Sequence, residues 1–176
     1  ADLEGVNLEG VNLEGVNLEG VNLEGVNLRR AKLEGANLEG ARYDSKTKWP
    51  GKFKHKNVGM IGPKAVLVGA ELVGVNLERA DLEGADLKGV ELCFSNLEGA
   101  KLEGASLKGA NLVATRLHRA DFEGADLEGA NLEGANLRKA NLHGTKLKGA
   151  KYNNDTKWPD NFDPIEFGAI NTDKEA

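Results

Sequence analysis

The chain has 176 residues, of which 40% are apolar and only 5% aromatic, and its formal net charge is −5 at pH 7. This length suits one domain, and the mild acidity argues against direct binding of nucleic acid through a basic surface. The single cysteine, Cys93, excludes an intramolecular disulfide framework and a cysteine-based zinc site. No apolar run approaches the ~18 residues that a membrane-spanning helix needs, so we expect no membrane insertion.

A five-residue motif begins at the first residue. Leucine occupies every fifth position from Leu3 to Leu38 and Tyr43 takes the next, which makes nine repeats. The series resumes at Leu67 and runs through eighteen repeats to Tyr152. Ala or Val usually lies two residues before the central residue, and Gly usually lies two after it. A period of five fits neither the helical period nor the two-residue alternation of a strand, but it fits a chain that turns by about 90° every five residues.

Such a chain closes one coil with four repeats, with the central residue and the Ala or Val pointing inward. Glycine serves the corner because it tolerates positive φ, and successive coils pair in parallel about 4.8 Å apart. The tandem motif resembles the pentapeptide-repeat family, and this resemblance implies an all-β, right-handed quadrilateral parallel β-helix. We therefore expect one solenoid of about seven coils over residues 1–176, with repeats at 1–43 and 65–152.

Two segments interrupt the repeat, and seven of their residue types coincide at a constant offset of 109. They begin at Tyr43 and Tyr152, and they are similar to an element that closes repeat arrays in cyanobacterial and chloroplast members of the family. The second segment predicts a C-terminal cap over 153–176, in which Trp158 and Phe162 cover the last coil. A short helix is expected within this cap, from about 163 to 170.

The first of these segments lies inside the chain, so it either loops out of one solenoid or separates two arrays. We favour a loop insertion over 44–64, with Trp49 and Phe53 anchoring it on the side of the solenoid. The loop carries five lysines that could contact an acidic partner or simply keep the loop solvated: Lys46, Lys48, Lys52, Lys54 and Lys56.

Residues twenty positions apart share a face, which allows every candidate site to be checked. His118 and His143 point outward on adjacent faces, and no set of residues converges as metal ligands or as a nucleophile and its base must. We therefore expect no catalytic residue, no metal and no cofactor, and we interpret the chain as not an enzyme.

One face carries an outward apolar stripe where other faces carry charge. It consists of Val73, Cys93, Phe94 and Val113. Exposed apolar patches usually mark a contact, which here could involve another protein, a second copy of the chain or the folded-back loop. A neighbouring face stacks three glutamates, Glu83, Glu103 and Glu123, which indicate either tolerated exposure or a negative column for a basic partner.

The sequence thus predicts a non-catalytic structural or interaction scaffold that binds an unidentified protein. The alternative is a DNA mimic that inhibits a type II topoisomerase such as gyrase, because some pentapeptide-repeat proteins have that role. A homodimer or end-to-end association is compatible with the pattern. We expect a soluble protein, and the cytoplasm, the thylakoid lumen and the periplasm are all open as its compartment.

Overall fold

The computed structural model describes residues 1–51, 53 and 59–174. The chain forms two compact units, Ala1–Val66 and Leu67–Ala176, called unit 1 and unit 2 below. Each unit contains tandem five-residue repeats followed by one of the two interrupting segments.

Each wall of the two units is built from parallel bridges between residues twenty positions apart, such as Asp2 with Asn22 and Asp81 with Lys101. The backbone N–H of the central residue donates to the coil above, as in the 2.7 Å bond from Leu102 N to Asp121 O. These bridges stay isolated because the chain turns a corner before a longer strand can form. The fold is therefore an all-β, four-sided parallel β-helix, as the sequence predicts.

Two regular strands occur among the described residues, β1 (Lys151–Tyr152) and β2 (Ile170–Asn171), and they pair in parallel. A single turn of 3-10 helix follows, η1 (Thr172–Lys174). No helix in the described part of the chain is long and apolar enough to cross a bilayer.

The interior consists of the central residues and the residues two positions before them. In unit 2, Leu102 and Phe122 are completely buried, and most of the alanines that lie two residues before the central positions are buried too. Where a hydroxyl residue replaces alanine, it donates to a backbone carbonyl: Thr145 Oγ1 lies 2.8 Å from Phe122 O. This satisfies the buried hydroxyl, and it confirms which two positions of the repeat point inward.

At many corners, an Asn or Asp directly before the central residue stabilises the turn. Its side-chain oxygen accepts a hydrogen bond from the backbone N–H two residues later, as in the 3.1 Å bond from Glu78 N to Asn76 Oδ1. Asparagine side chains also bond between coils, with Asn96 Nδ2 donating to Asn76 Oδ1 at 3.1 Å. These local bonds explain why short polar amides and carboxylates recur at this position.

The interrupting segments form caps with the same backbone register in both units. In unit 2, Lys157 pairs with Asn136, twenty-one residues earlier, and Ile170 pairs with Lys151, nineteen residues earlier. One residue is thus added before Lys157, and two are omitted between Lys157 and Ile170. In unit 1 the corresponding bridges join Lys48 with Asn27 and Ile61 with Arg42. The described parts of the two segments therefore follow the same path.

Stacked aromatic rings form the outer layer of each cap. In unit 2, Trp158 packs edge-on against Tyr152 at 5.5 Å and stacks on Phe162 at 5.3 Å, and Phe167 extends the stack. In unit 1, Trp49 packs against Tyr43 at 5.6 Å and stacks on Phe53 at 5.3 Å. Trp49 and Phe53 pack against the core of unit 1. The sequence-based prediction had instead placed them on the side of a single solenoid.

The described part of 44–64 differs from the expected loop. Thr47 is buried and donates to Leu23 O at 2.9 Å, and Leu28 N donates to Lys48 O at 2.7 Å. Lys46 and Lys48 therefore lie on the wall of unit 1, because their segment pairs with the coil below. Lys52, Lys54 and Lys56 lie outside the described residues.

The helix expected from 163 to 170 was a wrong prediction. Residues 164–168 form turns, Ile170 begins β2, and the 3-10 turn lies later in the chain. Pairing of Ile170 N with Ala150 O at 2.7 Å keeps this stretch in the wall of the coil. The single solenoid over 1–176 stays a prediction, although a cap at the end of each unit favours the alternative of two arrays.

Candidate protein-interaction surface

The apolar stripe lies on unit 2 along one corner, and we call it the apolar corner: Val73, Cys93, Phe94, Val113 and Ala114. Backbone bonds place its members in successive coils, with Gly74 N donating to Cys93 O at 3.0 Å and Phe94 N donating to Val113 O at 2.9 Å. Phe94 is 67% exposed and Val73 is 55% exposed, whereas Cys93 and Val113 are half-buried.

Two residues of the apolar corner hold the backbone in a conformation that usually requires glycine. Phe94 has φ 60° and Ala114 has φ 52°, while most corners of the chain carry glycine at similar angles. A non-glycine residue in this left-handed region costs on the order of 1 kcal/mol. At Phe94, the residue that carries this strain is a large aromatic side chain exposed to solvent.

Buried hydroxyls hold the backbone immediately after this corner. Ser95 Oγ donates to Leu72 O at 2.7 Å, and Thr115 Oγ1 donates to Leu92 O at 2.9 Å. Each of these residues directly follows a corner residue. The backbone that carries the exposed ring of Phe94 is therefore fixed by hydrogen bonds in the interior.

Two carboxylates lie on the same face as the apolar corner, each two residues before an apolar residue in the chain. Glu71 and Glu91 pair in parallel. Asn111 Nδ2 donates to Glu91 Oε2 at 2.7 Å, which satisfies one of these carboxylates within the chain. The apolar corner therefore has an acidic border on this side.

The next face of unit 2 carries a cluster of basic residues in its upper coils, which we call the basic face: Arg116, Arg119, Arg138 and Lys139. Arg119 N donates to Arg138 O at 3.1 Å, so these two residues lie in neighbouring coils. Arg119 and Lys139 occupy corners with φ 59° and 60°, again where glycine is usual.

One carboxylate, Glu98, lies directly below the basic face. Its oxygens accept from Arg116 Nη2 at 3.3 Å and lie 3.1 Å from His118 Nδ1. The hydrogen bond from His118, followed by its charge and by Arg116, lowers the pKa of Glu98 from its ordinary value. Glu98 is therefore already engaged, and Arg119, Arg138 and Lys139 have no ion pair in the residues that the structure describes.

The sequence-based reasoning missed the basic face. The charges of residues 65–152 nearly balance when they are summed along the chain, and that sum hides their distribution in space. The signal was present in the motif, because Arg79, Arg119 and Lys139 replace the usual corner glycine at spacings that are multiples of twenty.

The glutamate column lies on the face beyond the basic face, as the spacing predicts. Burial, followed by the charges of Asp121 and Glu83, raises the pKa of Glu103. The Oε2 atom of Glu103 is buried and has no hydrogen-bond partner. Above the column, His143 Nδ1 lies 4.0 Å from Glu123 Oε1. Burial and the neighbouring carboxylates therefore disfavour the charged form of Glu103.

No group of three or more His, Cys, Asp or Glu side chains is arranged to hold a metal ion within residues 1–51, 53 and 59–174. His118 and His143 lie against different carboxylates, Glu98 and Glu123. The candidate surface is therefore defined by shape, apolar area and charge.

The pentapeptide-repeat family model matches residues 1–41, 63–89, 85–124, 94–134 and 115–151. The chain belongs to the pentapeptide-repeat family. Proteins of this family are generally structural or interaction proteins. A search of curated protein sequences gave no match.

Solved structures of the family share this fold. A pentapeptide-repeat protein from Nostoc PCC 7120, alr5209, is 38% identical over 62% of this chain and 83% of its own, with a TM-score of 0.51. A trypsin-treated variant of QnrB1, described as a plasmid-mediated fluoroquinolone resistance protein, is 18% identical over 99% of this chain and 91% of its own, with a TM-score of 0.53. These neighbours are right-handed quadrilateral β-helices, which confirms the predicted fold class.

Proposed function

We propose that this pentapeptide-repeat protein is a non-catalytic scaffold that binds another protein through the apolar corner of unit 2. The observation that carries this proposal is Phe94, an aromatic side chain 67% exposed on a corner with φ 60°. Aromatic residues on rigid supports are typical centres of protein interfaces.

The surroundings of Phe94 support the same role. Val73 and Val113 extend the apolar surface through the coils below and above, and the buried hydroxyls of Ser95 and Thr115 fix the wall. A surface that is already ordered loses little conformational entropy when it binds.

Site-specific photo-crosslinking tests this proposal. A photoreactive phenylalanine analogue replaces Phe94 in one variant and the exposed Lys88, on another face, in the control. We expect a discrete cross-linked protein partner at position 94 and none at position 88 in extract of the source organism. Added Phe94→Gly protein should not compete with the cross-link, whereas unlabelled native protein should. Equal cross-linking at both positions would contradict a specific interface.

The topoisomerase alternative stays a prediction, and no residue of the described structure favours it over the scaffold. A DNA mimic needs a surface of predominantly negative charge, whereas unit 2 carries the basic face next to its most exposed aromatic residue. A gyrase supercoiling assay with and without a quinolone tests this alternative. If excess protein neither inhibits gyrase nor protects it from the quinolone, the alternative is dismissed.

A further inference from the structure

We infer that the partner engages unit 2 through a short acidic protein segment with an apolar anchor, which lies across the apolar corner and the basic face together. This inference rests on the proposed function and specifies the chemistry of its partner. Ala114 of the apolar corner and Arg116 of the basic face are two residues apart in the chain, roughly 7 Å along an extended backbone. One bound segment can therefore contact both surfaces.

Three positive charges of the basic face are available to a partner, because the described residues of the chain do not neutralise them. Arg119, Arg138 and Lys139 make no ion pair with any residue of 1–51, 53 or 59–174. The carboxylate below them, Glu98, is bonded to Arg116 and His118. Like charges stacked one coil apart repel one another, and an acidic segment would remove that repulsion.

Backbone strain gives a second, independent reason. Arg119 and Lys139 hold φ 59° and 60° at corners that glycine would occupy without strain. Their side chains make no ion pair within the described residues that would offset this strain. Phe94 shows the same combination of positive φ, exposure and position at the edge of the surface.

The charges around the surface favour a protein segment over nucleic acid. The unpaired basic residues span two coils, roughly 10 Å. Glu91 borders the apolar corner on one side, and Glu123 lies beyond the basic face on the other. A phosphate backbone extending past the basic residues would meet these carboxylates, whereas a short acidic segment ends before them.

The test uses the full chain and a fluorescein-labelled twelve-residue peptide of Asp and Glu with a central Leu-Phe pair. Fluorescence anisotropy measures its binding, and the modification rate of Cys93 by a thiol reagent reports whether the apolar corner is covered. We expect binding that weakens with rising salt and slower modification of Cys93 in the presence of the peptide.

The decisive variant combines Arg119→Gly with Lys139→Gly, because glycine keeps both corners and removes both charges. The matched control is Arg79→Gly, at a corner with φ 55° where the side chain lies 3.9 Å from Glu78. We expect the double variant to bind the peptide about tenfold more weakly and the control to bind within about twofold of the native protein.

Each alternative outcome has a distinct meaning. No peptide binding, equal binding by native protein and double variant, or tighter binding of a twelve-base-pair DNA duplex or of anionic lipid vesicles would overturn the acidic-segment inference. Self-association that sedimentation shows to mask Cys93 would also overturn it, because a second copy would then be the occupant. If unlabelled protein with Arg119→Gly and Lys139→Gly still competes with the cross-link at position 94 while Phe94→Gly protein does not, the scaffold proposal stands and this inference fails.

Discussion

Asp44 in unit 1 and Asn153 in unit 2 occupy the same place in the two caps. Each accepts a hydrogen bond from the backbone N–H of a glycine one coil below, Gly25 at 2.8 Å and Gly134 at 2.9 Å. Each also accepts from the hydroxyl of the following threonine, Thr47 or Thr156. At this position the unit 1 cap therefore carries an ionisable carboxyl group, whereas the unit 2 cap carries an amide.

This difference predicts that acid weakens the unit 1 cap first. Burial alone would raise the pKa of Asp44, but hydrogen bonds from Gly25, Thr47 and Lys46 outweigh it and lower the pKa below its ordinary value of 3.8. Because the folded state lowers this pKa, the contribution to stability is present above about pH 4 and is lost as the pH falls through the folded value. The amide of Asn153 does not titrate in this range.

Tryptophan fluorescence measures each cap separately, since each contains one tryptophan. In a Trp158→Phe variant the emission reports Trp49, and in Trp49→Phe it reports Trp158. We expect the Trp49 signal to change at a higher pH than the Trp158 signal. Asp44→Asn should remove the difference, and identical acid transitions before that substitution would show that Asp44 does not govern the unit 1 cap.

The corner conformation predicts that the interaction surface costs stability. Phe94→Gly should raise the free energy of unfolding by about 0.5–1 kcal/mol, because glycine adopts φ 60° without strain. The matched reverse change is Gly104→Phe, at φ 63° with no atom near the added Cβ, and it should cost about 1 kcal/mol. Urea unfolding of both variants measures these effects, and a loss of stability in Phe94→Gly would mean that the ring stabilises the fold.

Leu102 and Glu103 are neighbours that should respond very differently to lysine. Leu102 is completely buried, so Leu102→Lys should cost at least about 4 kcal/mol by placing an unpaired charge in the core. Glu103→Lys should change stability by no more than about 0.5 kcal/mol, because this side chain reaches the surface beside other carboxylates. Thermal melting compares the two, and equal costs would contradict the inward and outward assignment.

Glu103 also predicts a small dependence on pH with the opposite sign to that of Asp44. Its pKa is raised in the folded state above the ordinary value of 4.5, so the charged form destabilises the fold and the penalty is relieved as the pH falls through the folded value. Because the group is only half-buried, solvent screens part of this penalty, and Glu103→Gln should raise the Tm at pH 7 by at most about 2 °C. The gain should disappear near pH 4, and an equal gain at both values would assign the effect to packing.

The repeat made most of this fold predictable. Leucine every fifth residue specifies which side chains are buried, as Leu102 and Phe122 show. The same spacing placed Val73, Cys93 and Phe94 along one corner, because every twenty residues bring the chain back to the same face. Burial here follows a short repeat, and for that reason it can be predicted from a single sequence.

The caps were harder to predict because their contacts do not follow the period. Thr47 resembles a loop residue in sequence, yet its hydroxyl is buried against Leu23 O. Ile170 was expected to end a short helix, yet it pairs with Lys151 as a strand. A one-residue change in register redirects the side chains of a segment, and no spacing rule indicates where such a change occurs.

The register change in each cap has a consequence for how this architecture can vary in length. The shift of one residue at Lys157 and the opposite shift at Ile170 leave the cap one residue short of the repeat period, and both backbone pairings reach only the coil directly beneath. The backbone of each cap thus pairs with one neighbouring coil, as in other solenoids, and in unit 2 the hydroxyl of Thr172 also reaches Glu133, two coils below, at 2.9 Å. Removal or duplication of a complete coil away from the cap would leave the contacts of the cap unchanged and would shorten or lengthen the outer faces of the unit. The length of an interaction surface can therefore evolve separately from the cap.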